Sequence, residues 1–432
     1  EDARLAADAA DLGLANPKSL QQLKAAVNAA LEGIEEVTTL RKADVEELIE
    51  KYPENETLQA LLQNRLAGGK SSLAKYPAIQ AAANNGRVHD TAMYYGASRT
   101  GRFAGRGVQP QNLPRNYLEN LGLAREVTKK ANTEGLRMLF GAVKDTLSQL
   151  IRTAFVPAPG QCFLIADFSA IEARVIAWLA GETWVNKVFA GDGRIYEATA
   201  AAMFGVPKER IRHGNPEYAL RQKGKIATLA LGYAGGTGAL VNMGALRMGL
   251  SEDELPDIVA RWRTANPHIV QLWADVGDAA LRCVQDCQPQ LVNGLRFEMT
   301  AMGRTPCLTL TLPNGRQLYY LAPQIIEGGR FNTPSLHYLD AKSGGAMQLT
   351  ATFGGKLTEN IIQAIARDCL CLTLARLEAA GYRAVMHVHD EVVLEAPEGT
   401  ALQPVLDVMA QHVPWATGLV LRGAGFVTSE YY

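Results

Sequence analysis

The chain has 432 residues, 47% of them hydrophobic and 20% charged, proportions that exclude disordered, collagen-like and fibrous classes. That length exceeds what a single core sustains, so two or three subdomains are expected. Forty-three Lys and Arg against forty-four Asp and Glu leave a net charge of -1, which by itself argues against a histone-like binder of nucleic acid. No apolar run approaches the roughly 20 residues of a membrane-spanning helix, and no signal peptide opens the chain, so a soluble cytoplasmic protein is expected. Cys162, Cys283, Cys287, Cys307, Cys369 and Cys371 include no C-x-x-C pair and have no histidine at zinc-ligand spacing; free thiols, buried, in a reducing compartment are expected. The first residue is Glu1 rather than methionine, which suggests a processed or truncated fragment.

In chain order, Leu20, Leu23, Val27, Leu31 and Ile34 recur at helical spacing, so residues 1 to about 85 are expected to be helical. A helix over Asn55 to Leu66 is broken by Ala67-Gly68-Gly69-Lys70-Ser71-Ser72 before another that carries Lys75. From Gly86 to Arg115 the pattern is strand and loop, and helix returns from about Leu121 to Leu150. Cys162 to Ala166 is a short apolar run ending at Asp167, the profile of a buried strand, and Ile171 to Leu179 follows as a helix. Residues 180 to 285 are mostly helical. Between about 290 and 355 the signals turn to β, with Leu308 to Leu312, the Pro313-Asn314-Gly315 turn and Gln317 to Leu321 as a hairpin. Lys356 to Ala380 is helical again. Arg383 to Val388 and Val392 to Glu395 are β-like runs on either side of His389-Asp390-Glu391, and an amphipathic stretch runs from Leu402 to His412.

Four segments carry chemistry. In Asp167-Phe168-Ser169-Ala170-Ile171-Glu172 a strand delivers an acid at its end, where ligands of mixed α/β sheets sit, although Asp167 is equally suited to capping the next helix. His389, Asp390 and Glu391 lie together between β-prone runs, where an Asp can also simply satisfy a tight turn. Two carboxylates about 4 Å apart repel by roughly 4 kcal/mol at an effective dielectric near 20. If Asp167 and Asp390 converge they therefore call for a cation, and all-oxygen ligation suits magnesium. Arg221, Lys225, Leu229 and Tyr233 recur every four residues, so on a helix two cations and an aromatic would share one face, apt for the phosphates and base of a nucleotide. An amphipathic helix with solvated charges and a core tyrosine has the same spacing. Arg99, Arg102, Arg106 and Arg115, interleaved with glycines, Gln111 and Asn112, form a basic loop suited to phosphates or simply to solvent; Lys70, Ser71 and Lys75 are a weaker version.

Taken as an ordered set, Asp167-x-Ser169-x-Ile171-Glu172, then Arg221-x-x-x-Lys225 with Tyr233 eight residues after the lysine, then His389-Asp390-Glu391 resemble motifs A, B and C of the family A DNA polymerases, the DNA polymerase I family. Thr100-Gly101-Arg102, Gln111-Asn112-Leu113-Pro114 and the Gln363 to Asp368 segment extend the likeness, which covers about residues 60 to 432. The Asp167 to Arg174 run with the Leu121 to Leu150 insertion is most similar to phage or prophage members.

The resemblance implies an α+β fold of several subdomains, a right-hand polymerase with an antiparallel-sheet palm and mostly helical thumb and fingers. By position, 1–17 would be an N-terminal connector, 18–85 the thumb and 86–175 the first part of the palm with a helical insertion over 116–150. The fingers would span 176–345, with a β-rich insertion over about 290–345, and the second part of the palm 346–432. The implied activity is template-directed addition of dNTPs to a primer 3'-hydroxyl by two-metal phosphoryl transfer, with no proofreading domain in this chain. Asp167 and Asp390, helped by the main-chain carbonyl of Phe168, would bind two Mg2+ ions, for which Mn2+ can substitute; Glu391 would support them. Arg221 and Lys225 would hold the triphosphate, Lys225 also protonating pyrophosphate, and Tyr233 would stack near the template base. Glu172 would reject the ribose 2'-hydroxyl. Arg102, Gln363 and His389 would read minor-groove acceptors, with Gln111, Asn112, Arg115, Lys70, Ser71 and Lys75 as further DNA contacts. The implied partners are primer-template DNA and dNTPs, with an upstream exonuclease domain or replisome proteins as further candidates. A monomer without membrane contact, in a bacterial or phage-infected cell, is expected.

Several positions depart from the family pattern. Leu229 stands where most members have Phe or Tyr, Tyr196 where many have a phosphate-contacting histidine, Ala170 where Gln is usual and Ala234 where Gly is usual. The β-rich insertion exceeds the common pattern. Two other functions share these residues: a catalytically silent primer-template binding protein, favoured by Leu229 and Tyr196, and a metal-dependent nuclease using the same carboxylates. A single-subunit RNA polymerase would share the lysine-tyrosine helix, but Glu172 argues against it.

Overall fold

Helically spaced apolar residues near the start of the chain fold into α1 (Asp2–Asp11), α2 (Leu20–Ala30), α3 (Lys42–Lys51), α4 (Glu56–Gly68) and α5 (Lys75–Ala82) in the computed structural model, which describes residues 2–16, 19–68, 71–328, 333–341 and 345–432. Ser19 starts α2 by accepting the Gln22 N–H on its side-chain oxygen, and the helix buries Leu23 and Val27 against Leu31, Val45, Leu58, Leu61 and Leu62. The expected break between α4 and α5 is present, as a short 3-10 turn over Ser71–Ala74. Four two-residue strands follow, β1 (Ala83–Asn84), β2 (Arg87–Val88), β3 (Ala92–Met93) and β4 (Ala104–Gly105).

The helix expected over Leu121 to Leu150 is in fact three: α6 (Leu121–Lys129), α7 (Thr133–Phe140) and α8 (Val143–Leu150). Asn120 and Asn132 cap α6 and α7 through their side-chain oxygens, accepting from Leu123 and Gly135 at 3.0 and 2.8 Å. Ala131 at φ 52 and Gly141 at φ 77 interrupt the helical path between them.

The chain divides into two units, one of Glu1–Ala92, Gly105–Pro159 and Ser429–Tyr432, the other of Met93–Ala104 and Gly160–Thr428. The second holds the strand β5 (Gln161–Phe168), the helices α9 (Ile171–Ala180), α10 (Thr183–Ala190), α11 (Ile195–Phe204), α12 (Ala219–Leu231), α13 (Thr237–Asn242), α14 (Leu255–Ala265) and α15 (Pro267–Asp286), and then strands β6 (Gln290–Val292), β7 (Leu295–Met302), β8 (Thr305–Thr311), β9 (Gln317–Ile326), β10 (Ser335–Ala341) and β11 (Met347–Thr352). Helix α16 (Gly354–Ala379), strands β12 (Arg383–Val388) and β13 (Glu391–Pro397), helix α17 (Gln403–Met409) and strand β14 (Gly423–Thr428) complete it. The amphipathic stretch expected over Leu402 to His412 is thus helical only in its middle.

β5 is central in a four-stranded antiparallel sheet of order β12-β13-β5-β14. Cys162 to Ala166 are all buried, so an unbroken apolar run marks a strand covered on both faces. The β-rich region is a six-stranded antiparallel meander, β6 to β11 in sequence order, within the stretch of about 290 to 355 where β structure is expected. Its inner residues Leu308, Leu310, Leu318 and Tyr320 join a core shared with α9, α15 and α16. Cys162, Cys283, Cys307 and Cys369 are buried free thiols as expected, whereas Cys287 is exposed. No helix among the described residues is long and apolar enough to cross a membrane.

Candidate active site

At the end of β5 the apolar run stops and Asp167 emerges, exposed. In register it lies opposite Glu391 of β13 on one side and Ala424 of β14 on the other. His389 and Asp390 form the turn between β12 and β13, His389 taking a left-handed conformation at φ 55, and the Asp390 carbonyl accepts the Phe168 N–H at 3.3 Å. Asp167, Phe168, Asp390 and Glu391 therefore share one end of one sheet. Asp167 does not cap α9: the residue at the cap is Ala170, itself at φ 52.

The Asp390 carboxyl is half-buried. Burial, and to a lesser degree Glu172, push its pKa above the ordinary carboxylate value, against the opposing pull of Arg102 and His389. A carboxyl so placed gains most from a bound cation. No group of three or more His, Cys, Asp or Glu among the described residues forms a ready-made cage. An oxygen-only pair of carboxylates is instead the donor set of a cation that keeps waters and takes phosphate oxygens, as magnesium does. The donors present fit such an ion.

Beside the aspartates runs a chain of polar contacts. The Arg102 guanidinium meets Glu172 at 2.8 Å and Asp390 at 3.6 Å, and the Tyr233 hydroxyl donates to the other Glu172 oxygen at 2.6 Å. Burial first, and then the Glu172 charge, hold the Tyr233 phenol well above its usual pKa, so it remains a donor. Glu172, Tyr233 and Asp390 line a cavity of about 340 Å³ together with Phe168, Tyr196 and Leu229 among others.

One wall of the cavity belongs to α12. Gly224 lets it approach α11: a Cβ there would lie 2.2 Å from the Tyr196 carbonyl oxygen and 2.9 Å from the Ala200 nitrogen. Arg221 lies 5.4 Å over the Tyr196 ring and pairs with Glu197 at 3.0 Å, and burial raises the Tyr196 pKa, with Arg221 opposing. The four-residue series expected on one helix is cut short: α12 ends at Leu231, and Tyr233 lies in the turn beyond it, where the Gly232 carbonyl accepts the Trp273 indole N–H at 2.9 Å. Leu229 is exposed.

Gln363 is on α16, its amide 3.3 Å from Glu359, and His389 is exposed. Lys75, Gln111, Asn112 and Arg115 belong to the first unit, where the Lys75 ammonium donates to the Val108 carbonyl at 2.8 Å, Asn112 donates to Gln109 at 2.9 Å and Arg115 is exposed. Lys70 lies outside the described residues, and Ser71 is described in its backbone only.

Two further groups escape sequence reasoning. Glu197, which holds Arg221, also takes Arg194 at 3.3 Å; only the latter pairing has a local, three-residue signal. Arg174 is almost wholly buried, donates to the Ser169 and Val420 carbonyls at 2.7 and 2.9 Å, and packs over the Phe189 ring at 4.3 Å. It braces the corner that follows Asp167, and burial pushes its pKa down to about 10.

Residues 3–280 match the model for DNA polymerase family A. The chain is 49% identical over 426 residues to a DNA polymerase of Bacillus phage SP02, covering 97% of this chain and 63% of that protein. Against a thermostable DNA polymerase I of Thermus aquaticus it is 26% identical over 267 residues, covering 60% of this chain and 25% of the relative. A solved POL domain of Pol1 from M. smegmatis, in complex with DNA primer-template and dNTP, superposes with a TM-score of 0.62 at 20% identity, over 98% of this chain and 63% of that one. That likeness shows the fold, a polymerase domain with mixed helix and antiparallel sheet. The chain spans 63% of the phage relative and a quarter of the Thermus one.

Proposed function

This chain belongs to DNA polymerase family A, and from that premise we propose that it is a template-directed DNA polymerase that adds dNTPs to a primer 3'-hydroxyl. The observation that carries the proposal is the meeting of Asp167 and Asp390 at one sheet end, beside a cavity bordered by Glu172, Tyr233 and helix α12. Asp167 and Asp390, with the Phe168 carbonyl, would hold divalent cations, two Mg2+ ions in the fullest form, and Glu391 would support them. Such cations, when bound, neutralise triphosphate charge and lower the pKa of the attacking hydroxyl.

The chain's own residues do the rest by position, as phosphoryl transfer chiefly requires placement and charge neutralisation. Arg221 and Lys225, one turn apart on α12, bind the triphosphate. Glu172, held by Arg102 and Tyr233, occupies the space a ribose 2'-hydroxyl would take and so favours deoxynucleotides. The Tyr233 ring borders the site of the templating base. Arg102, Gln363 and His389 contact the primer-template end, and Gln111, Asn112, Arg115 and the Lys70 to Lys75 segment contact DNA further out. Tyr196, its ring against Arg221, replaces the usual histidine at the phosphates. We read the thumb as 18–85, the palm as 86–175 with 346–432, and the fingers as 176–345.

Primer extension on templates that differ in one templating base tests the proposal. With a divalent metal the parent should add only the complementary dNTP, and Asp390→Asn should abolish addition. Extension that survives Asp390→Asn overturns the metal assignment, and a preference for rNTPs overturns the role of Glu172. Tight duplex binding without incorporation under any divalent metal would point to a silent binding protein, and DNA shortening without dNTPs to a nuclease.

A further inference from the structure

The six-stranded sheet is joined to the segment that carries Arg102 by two arginines that reach in opposite directions. From the segment, Arg99 donates through Nε to Asp340 of β10 at 3.0 Å and through Nη1 to the Tyr319 carbonyl of β9 at 2.9 Å, with its guanidinium 4.4 Å over the Tyr338 ring. From the sheet, Arg316, just past the tight turn between β8 and β9, donates to the Thr100 carbonyl at 3.0 Å. The same Arg316 side chain meets Asp368 of α16 at 2.8 Å and the Ala364 carbonyl at 2.9 Å. Its side chain is 17% exposed and that of Asp368 5%, so these contacts lie mostly out of water, where a lost partner costs most.

Just beyond these two anchor points the chain has little freedom. Gly101 sits at φ 71, and a Cβ there would lie 2.5 Å from the Tyr95 ring and 2.6 Å from the Arg316 guanidinium. The Arg102 N–H donates to the Thr100 hydroxyl at 3.2 Å, and its carbonyl accepts from Ala97 at 3.0 Å. Arg102 is the residue whose guanidinium touches both Glu172 and Asp390. Its placement is thus set by a carboxylate on α16 and a carboxylate on the inserted sheet, each through an intervening arginine.

We propose that Arg316 and Arg99 are positioning residues, and that the inserted sheet serves to fix Arg102 against Glu172 and Asp390. The proposal rests on the role of Arg102 in the polymerase reading above. A double-substitution cycle tests it. Arg316→Gln should lower the rate of single-nucleotide incorporation at saturating primer-template and dNTP by about tenfold or more, the scale that a small misplacement readily costs. In an Arg102→Ala background the same substitution should change the rate by less than about threefold, since a residue acting through Arg102 has nothing left to position. Arg316→Lys, which keeps the charge without the fork, should rescue only partly. An equal loss in both backgrounds, or no loss in either, overturns the proposal while leaving the polymerase reading intact. If the parent itself fails to incorporate, that reading fails instead, and amide hydrogen exchange still tests the brace: Arg316→Gln and Arg99→Gln should each speed exchange at Gly101 and Arg102. Unchanged exchange in both variants, with the fold retained, contradicts it.

Discussion

Glu172 has two partners at once, the Arg102 guanidinium and the Tyr233 hydroxyl, one on each oxygen. Removing the hydroxyl keeps the ring and leaves Arg102 in place, so Tyr233→Phe should cost about 1.5 to 3 kcal/mol in urea unfolding, the worth of a hydrogen bond to a charged acceptor. Glu172→Ala opens space beside the sugar and should raise the rNTP to dNTP incorporation ratio by about tenfold or more; an unchanged ratio would remove Glu172 from sugar selection. His387 provides a different test. It is half-buried with its ring 4.2 Å from that of Phe103, and burial holds its pKa below the ordinary 6.5. In the window between the depressed value and 6.5 the unfolded chain binds more protons, so stability is lost as pH falls through that window. His387→Phe should flatten the dependence of Tm on pH there, while the slope above neutrality stays unchanged.

Among elements, those with a strong period or an unbroken apolar run were legible: β5, the β12 and β13 pair, α9 and α16 all lie within a few residues of their expected limits. The breaks were harder to see. Ala131 adopts φ 52 without being glycine, so nothing local marks the end of α6, and α12 stops short of Tyr233 at a glycine whose carbonyl is taken by Trp273, a residue 41 positions away. The aspartates, the basic helix and Glu172 were legible as residue types in order. Their supports were not, because Arg221 meets Glu197 over 24 positions and Arg316 meets Asp368 over 52, separations without a periodic signature. Gly224 shows how an element contact can be tested. Its missing side chain sets the approach of α12 to α11, so Gly224→Ala should destabilise by about 1 to 3 kcal/mol in urea unfolding and lower incorporation as the helices separate. A neutral Gly224→Ala would show that the two helices shift freely.

For the whole molecule, a net charge of -1 is a poor guide to what the surface offers. Several arginines are already matched internally, Arg99 by Asp340, Arg102 by Glu172, Arg221 by Glu197 and Arg316 by Asp368, so a count of charges says little about which cations face outward. Affinity for primer-template should still fall steeply with salt, by close to one power of concentration for each phosphate contacted. A slope near zero in a titration from low to moderate salt would contradict phosphate contacts altogether.

The most direct measurement is the rate of single-nucleotide incorporation by Asp167→Asn and by Asp390→Asn in saturating Mg2+, with primer-template affinity followed in parallel. Either substitution should cut the rate by about 100-fold or more, the scale of losing one charge stabiliser at a reacting phosphate, while leaving duplex affinity within about threefold. Near-parental incorporation by either variant would contradict a two-carboxylate catalytic site at the end of β5.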